Sequence, residues 1–99
     1  MIKNLSQLKK ALVKGARFQI IEHFIFPERN GEIREVNVVQ TNGIYTIIPD
    51  EPDSRITKAN RGKGSWLGFG KASDWTFCNG VMQQSHCGKP ALTIRMITE

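Results

Sequence analysis

The chain has little of what marks several common protein classes. Two cysteines in 99 residues are too few for a disulfide-built scaffold. No apolar run approaches the roughly 18 residues that a membrane-spanning helix needs. The opening stretch, Met1 to Gly15, is basic, but it has no continuous apolar centre and no small-residue cleavage site, so it does not read as a signal peptide. Internal repeats and an interdomain linker are also absent. The expected compartment is therefore the cytoplasm, with no membrane partner. What remains is an ordinary globular balance, 39% hydrophobic and 23% charged. A chain of this length supports one hydrophobic core, so residues 1–99 are expected to form a single domain.

Acid is missing from one long stretch in particular. Between Ser54 and Lys71 the chain carries Arg55, Lys58, Arg61, Lys63 and Lys71 and no Asp or Glu, a local charge of +5 that equals the net charge of the whole chain. Asp50, Glu51 and Asp53 form a small acidic knot just before it. A localised excess of this kind suits a polyanion or an acidic protein surface, whereas a solvated loop would use the same lysines only for solubility.

Periodicity predicts the elements. Asn4 caps a helix over roughly residues 5–14, with Gln7 in the capping-box position, a stripe of Leu5, Leu8, Ala11 and Leu12, and Gly15 as a left-handed stop. Strand-like runs follow at Arg17–Phe26, Ile33–Gln40, Ile44–Ile48, Trp75–Cys78, Val81–Gln84 and Leu92–Ile97. Asn30-Gly31, Asn42-Gly43 and Asn79-Gly80 stand between runs and read as hairpin turns. The expected fold is α+β, an N-terminal helix packed on a twisted antiparallel sheet of five to six strands. Residues 49–73, punctuated by Pro49, Pro52, Gly62, Gly64, Gly68 and Gly70, read as a long loop of the kind that usually carries function.

Within that loop the glycines do not make a phosphate loop. Gly70-Lys71 is followed by Ala72, and the upstream glycine position is Ser65; a Gly-x-Gly-x-x-Gly register fits nowhere. A different chemistry fits better. Trp66, Phe69 and Trp75 interleave with Arg61, Lys63 and Lys71, and aromatic faces stack on unpaired bases while cations hold phosphates. The competing assignment puts both tryptophans into the sheet core; it is the better one for Trp75 and leaves Trp66 open. The candidate binding set is thus Arg55, Lys58, Arg61, Lys63, Trp66, Phe69 and Lys71.

Other chemistry is poorly provided for. Cys78, His86 and Cys87, with His23, match no common zinc spacing, and no metal or other cofactor is expected. A Cys78–Cys87 disulfide across a hairpin conflicts with a reducing compartment. Glu22 and His23 are neighbours on a strand and point to opposite faces, so they do not form a catalytic pair; no nucleophile context is recognisable, and an enzyme is not expected. Glu22, His23 and Arg34 are the polar surface candidates if the basic loop is only a solubility feature.

Three stretches, KNLSQLKKALVKGARFQIIEH, VNVVQTNGIYTIIPDEPDS and KANRGKGSWLGFGKASDWTF, span most of the chain and resemble small proteins carried by plasmids and conjugative elements of Gram-positive bacteria. Type II-A anti-CRISPR proteins, which inhibit a Cas9-type effector, are among them. The resemblance lies in residue order and implies no particular site residues. It does imply an interaction protein whose partner is a Cas9-type effector, its guide RNA, or both, with guide loading or effector assembly as the step blocked. Many such inhibitors are acidic DNA mimics; the basic charge here departs from that pattern. The alternative is an RNA- or single-stranded-DNA-binding module encoded on a mobile element.

Overall fold

A computed structural model describes residues 2–49 and 65–97. The Asn4 side-chain oxygen accepts from the Gln7 backbone N–H at 2.9 Å, and the Gln7 side chain accepts in turn from the Lys3 N–H at 2.7 Å. This reciprocal cap starts helix α1, Leu5–Ala11, which buries Leu5 and Leu8 and, just past its end, Leu12. The helix stops earlier than its leucine stripe predicts. Leu12 closes it by donating to Leu8 O, and Gly15, at φ +90°, turns the chain into the sheet by donating to Val36 O at 2.9 Å rather than capping the helix.

Among the described residues seven strands follow, one more than the upper expectation: β1 Arg17–His23, β2 Ile33–Gln40, β3 Gly43–Ile47, β4 Ser65–Gly68, β5 Trp75–Cys78, β6 Val81–His86 and β7 Lys89–Met96. They form one antiparallel sheet in the order β4-β3-β2-β1-β7-β6-β5. The sheet is two meanders joined where the first strand pairs with the last. The additional strand, β4, lies inside the stretch expected to be loop. Its four residues, SWLG, are too short to show alternation, and pairing with β3 rather than local propensity makes them a strand.

The sheet curls around its inner face. Gln84, on β6, donates to Gly68 O at 2.8 Å, and the Trp75 indole, on β5, donates to Phe69 O at 2.7 Å. These bonds draw the end of edge strand β4 toward the opposite edge. The core between sheet and helix contains Leu5, Leu8, Leu12, Phe18, Ile20, Val36, Ile44, Phe69, Trp75, Met82, Leu92 and Ile94.

The turns divide differently from the Asn-Gly count. Asn79-Gly80 is a tight hairpin turn with both residues at positive φ, 52° and 79°. Cys87-Gly88 does the same between β6 and β7, at 53° and 78°, although nothing but its glycine announces it. Gly43 instead begins β3, and Asn30-Gly31 belongs to a longer connection containing a 3₁₀ turn, Pro27–Arg29. Because β6 separates Cys78 from Cys87, the two thiols stand roughly 20 Å apart at about 3.3 Å per residue, beyond the reach of a disulfide. No helix among the described residues is long and apolar enough to cross a membrane.

Candidate nucleic-acid interface

The site begins with edge strand β4, the first described element within the basic segment. Arg55, Lys58, Arg61 and Lys63 lie outside the described residues; Trp66, Phe69 and Lys71 lie within them. Strand alternation sends Trp66 to the outer face of the sheet, where its indole remains 47% exposed. Directly across β3 stands Tyr45, with ring centroids 4.8 Å apart and planes tilted by 57°. An edge-to-face pair of this kind holds both rings in place.

A second constraint comes from glycine. Gly43 and Gly68 are cross-strand partners, and the indole lies over the trough they leave. A Cβ at Gly43 would sit 2.6 Å from Trp66 Cζ2, and one at Gly68 3.2 Å from Nε1. The sequence thus provides an exposed aromatic platform with its orientation fixed by a tyrosine and by two missing side chains. Tyr45 and Gly43 were not legible as parts of the site, because their role depends on the β3–β4 register.

Phe69 does not share that platform. Alternation turns the chain inward after Gly68, and Phe69 is only 3% exposed, packed into the core with its backbone N–H donating to Asn42 O at 2.8 Å. A base could stack on it only after the core opened, so Phe69 leaves the candidate set. Trp75 is buried as expected. Lys71 is exposed at the start of a second 3₁₀ turn, Ala72–Asp74, where its backbone N–H donates to Asp74 Oδ2 at 3.0 Å. The nearby carboxylate is therefore engaged by main chain.

Comparison of the chain with protein-family models, curated proteins and solved structures finds no match.

The remaining polar candidates occupy the other end of the sheet. Arg34 is not a surface residue: it points to the inner face, 3% exposed. There its Nε donates to Glu32 Oε1 at 2.7 Å and its Nη1 to Thr46 Oγ1 at 3.2 Å. A bulge between Ile20 and Glu22 resets β1. Glu22 ends exposed opposite Thr93, while His23 sits half-buried opposite Leu92. His23 Nδ1 accepts from the Phe26 N–H at 3.0 Å, which places the ring proton of the neutral form on Nε2. Desolvation first, then Arg29 and Arg34, holds the His23 pKa below its usual value of 6.5. A histidine with a lowered folded pKa binds fewer protons folded than unfolded, so its contribution is intact above pH 6.5 and falls as pH drops through the unfolded value toward the folded one. Replacing His23 with Gln should flatten the stability profile in that acidic window. Denaturant midpoints between pH 7 and pH 5 check this; identical pH slopes for both proteins would remove His23 as the cause.

Cys78 and the His86-Cys87 pair stand at opposite ends of β6 and do not converge, and among the described residues no group of three His, Cys, Asp or Glu side chains is placed to hold a metal. A cleft of about 760 Å³ lies beside α1, lined by Ile2, Ala11, Met82, Met96 and Ile97 with Arg17 and Arg95 among its polar members. Arg17 is paired with Glu35 at 3.0 Å and Arg95 donates to Gln19 at 3.0 Å, so this cleft presents apolar wall rather than an acid–base pair.

Proposed function

We propose that the protein is a non-enzymatic interaction module that binds unpaired RNA through Trp66, Tyr45 and the basic segment from Arg55 to Lys71, and that it inhibits a Cas9-type effector by engaging its guide RNA during loading. The observation that carries this reading is the Trp66 platform. It is exposed, it is held by Tyr45 over Gly43, and it lies within a segment with five cations and no acid. Stacking is indifferent to base identity, and cations beside the stacked base neutralise its phosphates. Guide RNA outside its effector offers unpaired bases and a dense phosphate charge together. The setting within a Cas9 system comes from the resemblance to mobile-element inhibitors.

The test is a mobility-shift titration of guide RNA, with and without effector, at two salt concentrations. Binding should weaken steeply as salt rises, because each neutralised phosphate releases condensed counterions. Reversing Arg61 and Lys63 to Glu should abolish the shift and the inhibition while leaving the circular dichroism spectrum unchanged. Trp66→Ala should cost about 1–3 kcal/mol of binding. Full inhibition by the double reversal would reduce the segment to a solubility feature. A shift of guide RNA without inhibition would favour the plain RNA-binding module.

A further inference from the structure

The neutral remainder of the chain outside the basic segment is a cancellation. Residues 1–21 contain Lys3, Lys9, Lys10, Lys14 and Arg17 and no acid, a second block of +5; residues 22–53 set two arginines against seven acids. The structure brings the helix of the second block against Phe69, in the described end of the first. Leu5, Leu8 and Leu12 point into the core, which turns Lys9 and Lys10 outward, and Lys3 and Lys14 are exposed at either end of α1. Lys9 Nζ lies 5.3 Å from the centre of the Phe69 ring, so the lysine side of the helix meets the chain three residues past Trp66 and two before Lys71. None of the four lysines forms an ion pair with a described acid.

We infer that the lysine face of α1 is the second half of the RNA-binding surface, so that a single strand stacked at Trp66 continues across the Phe69–Lys71 corner and lays its phosphates along Lys9, Lys10 and Lys14. This rests on the proposed RNA-binding function and extends it to a particular path. The platform supplies one stacking position and cannot by itself fix the direction of a strand. A row of ammonium groups leading away from it gives the strand a track. Lysine suits this role because it meets phosphate as a point charge without reading sequence. Phe69 serves the track from below: buried itself, its ring face seats the Lys9 ammonium by cation–π attraction.

The experiment uses the full chain and a fluorescein-labelled single-stranded RNA of mixed sequence, with affinity measured by anisotropy across a salt series. Lys10 and Lys14 are exposed, so the Lys10→Gln, Lys14→Gln double variant should keep the wild-type spectrum and melting curve. The slope of log affinity against log salt should become shallower by about 1.4, and affinity near 0.1 M salt should drop about 25-fold, as expected when two phosphates of a single strand are no longer neutralised. Lys89→Gln, at the start of β7, removes a cation away from the track and should leave the slope unchanged. If the double variant and Lys89→Gln behave alike while Trp66→Ala still weakens binding, the track is overturned and the proposed function stands. If the wild-type protein does not bind this RNA, both fall. If all cation variants weaken binding equally, the effect is one of net charge and the track is again overturned.

Discussion

Leu8→Ala should destabilise the protein by about 2–5 kcal/mol, the range for truncating a buried leucine whose cavity the surroundings do not refill. Leu8 is fully buried, at the centre of the face that α1 lays on the sheet, between Leu5 and Leu12. Refilling is difficult there. The helix has only 7 residues, too few to be stable alone, and its place is fixed by the Asn4 cap at one end and the Gly15–Val36 hydrogen bond beyond the other. Domains of this kind have about 5–15 kcal/mol in total, so the substitution removes a large share. Urea unfolding followed by far-ultraviolet circular dichroism measures it. A midpoint unchanged from wild type would mean that the helix face is not part of the core.

Gly43→Ala should damage both the fold and the binding platform. The new methyl group would lie 2.6 Å from Trp66 Cζ2 and 2.8 Å from Cη2, against a ring held by Tyr45. It would meet the Leu67 backbone oxygen of β4 more closely still, a contact that no swing of the indole relieves, so β4 must shift away from β3 and carry the indole off its trough. Overpacking of this kind costs roughly 1–3 kcal/mol. The separate signature is spectroscopic: near-ultraviolet dichroism from the Tyr45–Trp66 pair should collapse, and RNA affinity should approach that of Trp66→Ala. Gly80→Ala is a useful contrast. Its turn requires positive φ, yet a Cβ there meets nothing within 4 Å, so it should lose stability without losing the aromatic signal. An intact near-ultraviolet spectrum in Gly43→Ala would show that the indole does not depend on this trough.

Much of the architecture was legible from the chain because it is local. Asn4 and Gln7 announce the helix start through hydrogen bonds that span three and four residues. The β-branched runs announce most strands, and Asn79-Gly80 announces a turn whose left-handed geometry few other pairs adopt easily. The errors fall where distant segments decide. Phe24 and Phe26 share a parity with Phe18 and Ile20, yet they are exposed: the bulge in β1 breaks that parity, and the strand ends at His23, ahead of both and short of the predicted Phe26. Arg34 looks like a surface cation until its strand register turns it inward onto Glu32 and Thr46.

The proposed binding surface shows the same division. The sequence by itself determined that one segment carries cations without acid and that Trp66 lies within it. Only the tertiary structure decided that Trp66 faces out and Phe69 in, since consecutive strand positions alternate only once pairing with β3 has fixed the pleat. It also decided that Gly43 lies under the indole, and that Lys9 meets Phe69 across more than half the length of the chain. The physical reason is range: caps and turns are settled by hydrogen bonds a few residues long, whereas a shared surface exists only after the core has closed and brought separate segments side by side.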